Sequence, residues 1–137
     1  MLTDEMRKKL VQAATKVRSN AYSPYSNYPV GAALLAESGR IYEGVNVENV
    51  AFPTSICAER VALFKAVSEG ERKFKAIAVV TSNGGTPCGS CRQALSEFGL
   101  DIQVIIADEK GQVLSEMSLS DLLPGAFSPA DLVRNEE

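Results

Sequence analysis

The chain contains no histidine. That removes the usual neutral-pH proton carrier and one of the two main zinc ligands. Cysteine is scarce, with three in 137 residues. Three is too few, and an odd number, for a disulfide framework, so the thiols read as metal ligands or reactive groups. Positive charge is not in excess: 14 Lys and Arg stand against 17 Asp and Glu, a net charge of −3. This argues against a broad basic face and therefore against nucleic acid as a partner. No apolar run is long enough to span a membrane, so no membrane partner is expected. Residues 1–9 are charged and lead into an amphipathic stretch rather than a signal-peptide core, which makes the cytoplasm the expected compartment. Linkers, repeats and low-complexity tracts are also missing.

What is present fits one soluble domain over residues 1–137, with 45% hydrophobic and 23% charged residues. A chain of this length buries roughly two-thirds of its unfolded surface, enough for a core without disulfides. Thr3 is placed to cap a helix to about Arg18, with Met6, Leu10, Ala13, Ala14 and Val17 on one face. Residues 21–27 read as loop. Val30–Ala36 and Ile41–Val47 flank the turn Glu37-Ser38-Gly39-Arg40 and read as a hairpin. Cys57–Ser68 has Val61, Leu63, Phe64 and Val67 at helical spacing and is closed by Gly70. Apolar strands are expected at 76–81 and 102–107, joined by a helix from Cys88 or Gly89 to Phe98, with an edge strand at 112–116. Ser128-Pro129 looks like a helix start. A strand, crossover helix and strand imply a parallel pair, so the fold class is α/β with a mixed sheet and helices on both faces.

The cysteines fall in two strings, Cys57-Ala58-Glu59-Arg60 and Pro87-Cys88-Gly89-Ser90-Cys91. Both lie between a loop and a predicted helix start, where the helix dipole favours thiolate. Three protein ligands leave one zinc position for water, the pattern of a catalytic rather than a structural site. Glu59, two residues beyond Cys57, is the carboxyl group placed to move protons in place of histidine. Three thiolates leave the site with net charge near −1, which works against ionisation of bound water unless a cation stands close. Arg60 is the leading cation and Arg92 the second. Other readings remain open on spacing alone: a structural zinc completed by a carboxylate, a CxxC redox pair that leaves Cys57 idle, or Glu59 as a solvated helix charge.

The order Tyr22-Ser23-Pro24-Tyr25-Ser26, Val30-Gly31-Ala32-Ala33-Leu34, Asn46-Val47-Glu48-Asn49, Cys57-Ala58-Glu59-Arg60, Pro87-Cys88-Gly89-Ser90-Cys91-Arg92-Gln93 and Leu122-Leu123-Pro124-Gly125 closely resembles the small homotetrameric cytidine deaminases. The signature of zinc nucleobase deaminases, with its three-cysteine variant, is the strongest part of that resemblance. The resemblance implies a three-layer α/β/α sandwich with a five-stranded mixed sheet. It implies one Zn²⁺ on Cys57, Cys88 and Cys91, with Glu59 as general acid and base. Arg60 would hydrogen-bond a cysteine sulfur. Asn46 and Glu48 would bind the ribose 3′-hydroxyl, where a carboxylate also repels a 3′-phosphate. Tyr28 and Phe127 would contact the cytosine, Phe127 from a neighbouring subunit of a tetramer with shared sites. The backbone of Ala58 and the carbonyl of Thr86 would contact the base.

Two positions depart from the resemblance: Tyr28 stands where phenylalanine is usual, and Phe52 where tyrosine is usual. The implied activity is hydrolytic deamination of cytidine and deoxycytidine to uridine and deoxyuridine in pyrimidine salvage. Weighed against it are deamination of a modified nucleoside such as a blasticidin-type antibiotic, editing of a polynucleotide, and a non-enzymatic zinc module.

Overall fold

The computed structural model of the chain describes residues 2–132. Helix α1 spans Asp4–Val17, with the Thr3 side chain accepting from the Met6 amide at 3.1 Å. Strands β1 (Gly31–Ala36) and β2 (Ile41–Val45) form the expected hairpin. Helix α2 covers Ala58–Ser68, strand β3 Phe74–Val80, helix α3 Gly89–Ser96 and strand β4 Gln103–Ala107. Strand β5 (Val113–Ser118) is followed by the single turn α4 (Leu119–Leu122). Ser128 starts a short 3-10 turn at Pro129–Asp131, with Asp131 completing a reciprocal cap. Among the described residues, no helix is long and apolar enough to cross a membrane.

The five strands lie in the order β2-β1-β3-β4-β5. Only β3 and β4 run parallel; the other pairs are antiparallel. β3 is central and covered on both faces, which is why Ala76–Val80 is wholly apolar instead of alternating. Alternation on β1 divides the core. Ala33 and Leu35 face α1, meeting Leu10, Val11 and Ala14. Ala32, Leu34 and Ala36 face the opposite layer with Ala58, Ala62, Leu63 and Leu95 of α2 and α3. This is the α/β/α sandwich that the resemblance implied.

Several boundaries and one helix face differ from expectation. β2 stops at Val45, and Val47 makes isolated bridges to Tyr22 and Ile56, so the chain leaves the sheet at Asn46. β3 begins two residues early, at Phe74, and β5 continues to Ser118. On α1, Val11 is buried beside Leu10 and Ala14. On α2 the buried apolar face is Ala58, Ala62, Leu63 and Ala66, while Phe64 is 48% exposed. The reason is close packing on β2. A Cβ at Gly44 would lie 2.5 Å from both the Ala58 carbonyl oxygen and the Ala62 amide nitrogen. Only small residues allow that approach, so hydropathy alone selects the wrong face of this helix. The contact fixes where the start of α2 sits above the sheet.

Candidate active site

Cys57 occupies the N-cap of α2 and Cys88 the N-cap of α3, with Cys91 in the first turn of α3. Neither cysteine caps its helix through the side chain, which leaves both sulfurs free to turn inward. The three Sγ atoms all lie within 4.8 Å of one another. The Cys57 and Cys88 sulfurs are 3.8 Å apart. Two sulfurs at about 2.3 Å from a tetrahedral zinc ion would be separated by about 3.8 Å. The Cys57–Cys88 spacing therefore matches zinc, and the Cys91 sulfur lies close enough to complete the donor set.

Arg60 lies in the first turn of α2 and donates through Nη2 to the Cys57 sulfur at 3.5 Å. Interaction with the Cys57 and Cys91 sulfurs raises its own pKa. The Cys57 thiol is held down at about 5, first by a hydrogen bond from Cys91 and then by Arg60. Cys91 is pushed up, because it donates to Cys57 and is buried beside Glu59. Arg60 is thus the arginine that faces the sulfurs. Arg92 is spent elsewhere: its nitrogens bond the Pro87 carbonyl at 2.7 Å, the Leu122 carbonyl at 2.9 Å and the Thr86 hydroxyl at 3.0 Å.

Glu59 is 5% exposed, unlike a solvated helix charge. Burial, with the Cys57 charge adding to it, lifts its carboxyl to about 7. A cavity of about 280 Å³ opens above it, lined also by Cys57 and Cys88, by Tyr28, Asn46 and Glu48, and by Thr86. The structure thus brings two zinc-site sulfurs, the buried carboxyl and four of the expected substrate contacts to one cleft. A family model for the cytidine and deoxycytidylate deaminase zinc-binding region matches residues 4–107.

The chain belongs to this deaminase family. It is 52% identical over 127 residues to a cytidine deaminase of Sporosarcina psychrophila, covering 90% of this chain and 93% of the relative. It is 45% identical over 129 residues to a cytidine deaminase of Halalkalibacterium halodurans, covering 92% and 97%. The crystal structure of cytidine deaminase from Burkholderia pseudomallei superposes with a TM-score of 0.84 at 43% identity, covering 92% of this chain and all of that one. With the family's zinc-binding region spanning Cys57, Cys88 and Cys91, the cluster is a site for one zinc ion per chain.

The deaminase fold gives Asn46 and Glu48 a task that neither spacing nor residue type reveals. Asn46 is buried; its Oδ1 accepts from the Val30 amide at 2.9 Å and its Nδ2 donates to the Tyr28 carbonyl at 2.9 Å. Glu48 accepts from the Tyr25 amide at 3.0 Å, the Ser26 amide at 3.1 Å and the Ser26 hydroxyl. Those bonds hold its carboxyl below the usual range, the Ser26 hydroxyl contributing most. Both residues line the cleft and also fasten the 23–30 loop that forms its wall.

Ala58 is fully buried as the first residue of α2. Phe127 does not reach this cleft in its own chain. It is 56% exposed, with its carbonyl accepting from Gln93 Nε2 at 2.9 Å. Phe52 is 66% exposed and packs against Tyr25 with ring centroids 5.6 Å apart.

The sequence reading missed three polar side chains of the cleft. Ser26 anchors Glu48, Ser55 lines the cleft, and Thr81 folds the opposite wall by accepting from the Gly84 and Gly85 amides at 2.8 and 2.9 Å. A signal for Thr81 existed: it is the polar residue that closes an apolar strand directly before Ser82-Asn83-Gly84-Gly85.

Proposed function

We propose that residues 1–137 act as one catalytic domain that hydrolyses cytidine and deoxycytidine to uridine and deoxyuridine with release of ammonia, in pyrimidine salvage in the cytoplasm. The observation that carries this reading is a buried carboxyl, Glu59, in the same cleft as a three-sulfur zinc site. Zinc, when bound, supplies a Lewis acid with an open position for water. Cys57, Cys88 and Cys91 hold it, and Arg60 offsets their charge. Glu59 would take a proton from the attacking water and deliver it to the ring nitrogen, then take the remaining proton of the added hydroxyl and pass it to the departing amino group, leaving the keto product and ammonia. Burial keeps bulk water from competing for these transfers.

Asn46 and Glu48 offer the amide and carboxylate that suit sugar hydroxyls. The Tyr28 ring, the Ala58 backbone and the Thr86 carbonyl would hold the base, a reading supported by Tyr28 and Thr86 lining the cleft. The free nucleoside is the favoured substrate, since Glu48 would repel a 3′-phosphate and the chain is acidic overall. We read the active form as a homotetramer in which Phe127 completes the neighbour's cleft. Its exposure, and the apolar run Leu122-Leu123-Pro124-Gly125-Ala126-Phe127, support a covered surface there.

The test is to purify the protein without chelator and measure zinc per chain. Loss of cytidine, deoxycytidine, blasticidin S and a cytosine-containing oligonucleotide is then followed. About one zinc per chain and ammonia release from the two nucleosides are expected. Full activity without zinc, or turnover of the oligonucleotide alone, would overturn the reading.

A further inference from the structure

The cleft has two walls that are far apart in sequence. One is the 23–30 loop, presenting Ser26, Tyr28 and Val30. The other is the segment after β3, presenting Thr81, Gly85, Thr86 and the zinc ligand Cys88. One side-chain hydrogen bond joins them directly: the Tyr28 hydroxyl donates to Asn83 Oδ1 at 2.7 Å.

Each end of that bond is anchored. The Tyr28 carbonyl accepts from Asn46, and its amide donates to the Ser26 hydroxyl, which in turn bonds Glu48. The Asn83 loop is folded by Thr81, which accepts from Gly84 and Gly85 and approaches Asn83 Oδ1 at 3.5 Å. A second observation is independent of the bond. A Cβ built at Gly85 would collide with the Tyr28 hydroxyl oxygen, whereas its next neighbour, the Tyr28 ring carbon, is 3.6 Å away. Gly85 does not have a positive φ, so its missing side chain is required by space and not by backbone conformation. The double glycine and the tyrosine hydroxyl fit one another.

We infer that Tyr28 is a positioning residue whose hydroxyl, bonded to Asn83 beneath Gly85, locks the nucleoside-binding wall to the wall that carries Cys88. The inference rests on the proposed reaction and deepens it. The bridge holds the Tyr28 ring at a set depth in the cleft before substrate arrives, so the base meets a formed wall and does not have to order a loop on binding. Phenylalanine in the same place would keep the ring and lose the lock. The effect belongs in substrate affinity, because the hydroxyl is bonded to Asn83 rather than aimed at Glu59 or the sulfurs.

Tyr28→Phe, Gly85→Ala and the double variant are each assayed on cytidine for kcat and KM. A neutral hydrogen bond of ordinary net strength predicts a rise in KM of roughly 3- to 10-fold for Tyr28→Phe, with kcat within about 2-fold of wild type. Gly85→Ala alone should raise KM at least as much, because the new methyl group displaces the hydroxyl. In the double variant the methyl group meets only the ring edge, so KM should equal that of Tyr28→Phe with no further loss. A KM for Tyr28→Phe equal to wild type, a fall confined to kcat, or additive losses in the double variant would each overturn the inference. If the wild-type protein does not turn over cytidine, the proposed reaction falls and the bridge is decided by hydrogen exchange. Tyr28→Phe must then speed exchange of the Gly84 and Gly85 amides, and unchanged exchange refutes it.

Discussion

Arg60 and Cys57 stand one helical turn apart on α2, and the arginine Nη2 donates to the cysteine sulfur at 3.5 Å. The pair ties the metal site to the first turn of the helix that also carries the buried Glu59. Removing the arginine leaves thiolate charge uncompensated beside a buried carboxyl. Arg60→Ala should lower zinc affinity or activity by about 10- to 100-fold, the range for residues that orient metal ligands. Arg60→Lys, which keeps the charge and loses the planar fork, should fall less. Zinc titration and turnover measured together check this; equal and small effects would return Arg60 to the role of a packing residue.

Glu59→Gln keeps shape and burial but cannot carry a proton. Zinc content and melting temperature should stay near wild type, while kcat drops on the order of 10²- to 10⁴-fold. Near-normal turnover would mean that another group moves the protons.

Gly44 sits beneath the start of α2, where a Cβ would lie 2.5 Å from two backbone atoms of that helix. Gly44→Val should cost about 1–3 kcal/mol through overpacking. It should also weaken zinc binding, because lifting α2 moves Cys57 away from Cys88 and Cys91. Chemical denaturation and a competitive zinc chelator read the two effects separately. A destabilised variant with unchanged zinc affinity would show that α2 shifts as a rigid body without opening the cluster.

Phe127 is exposed in its own chain. If a neighbouring subunit supplies it, Phe127→Ala should raise KM for cytidine by roughly the 0.5–1.5 kcal/mol attributed to an aromatic stacking pair, about 2- to 13-fold. Mixing Phe127→Ala chains with Glu59→Gln chains should restore part of the affinity, since some intact Glu59 sites then receive an intact Phe127. An active monomer, or no recovery after subunit exchange, would show that the site is not shared.

Glu71 ties the β1–β2 hairpin to the turn after α2, accepting from the Ser38 hydroxyl at 2.7 Å and the Tyr42 hydroxyl at 2.8 Å. The Ser38 bond, followed by that of Tyr42, holds its carboxyl below the ordinary 4.5. A depressed folded-state pKa gives stability that is present above pH 4.5 and lost as pH falls through the lower folded value. Glu71→Gln should therefore be less stable than wild type at pH 7, and the gap should narrow at about pH 3. Urea midpoints at the two pH values measure it, and a constant gap would assign the loss to shape instead of charge.

The cysteines, their spacing and Glu59 were legible in the sequence because each depends on local facts. Helix starts, a single CxxC and a carboxyl two residues past a cysteine need no knowledge of the fold. The strand order was half legible: the apolar runs at β3 and β4 imply a buried parallel pair, and the hairpin turn is marked by Gly39. The sequence ranked Arg60 ahead of Arg92 without giving the contacts; tertiary structure supplied them, setting Arg60 on the Cys57 sulfur and Arg92 on Pro87, Leu122 and Thr86. It also decided that α2 buries alanines, because the close approach at Gly44 ranks size above hydropathy. Asn46, Glu48 and the Tyr28–Asn83 bridge belong to the same class. Their partners lie 16 to 55 residues away along the chain. Hydrogen-bond partners at such distances are chosen by how the loops meet over the sheet, and no periodicity in the sequence records that choice.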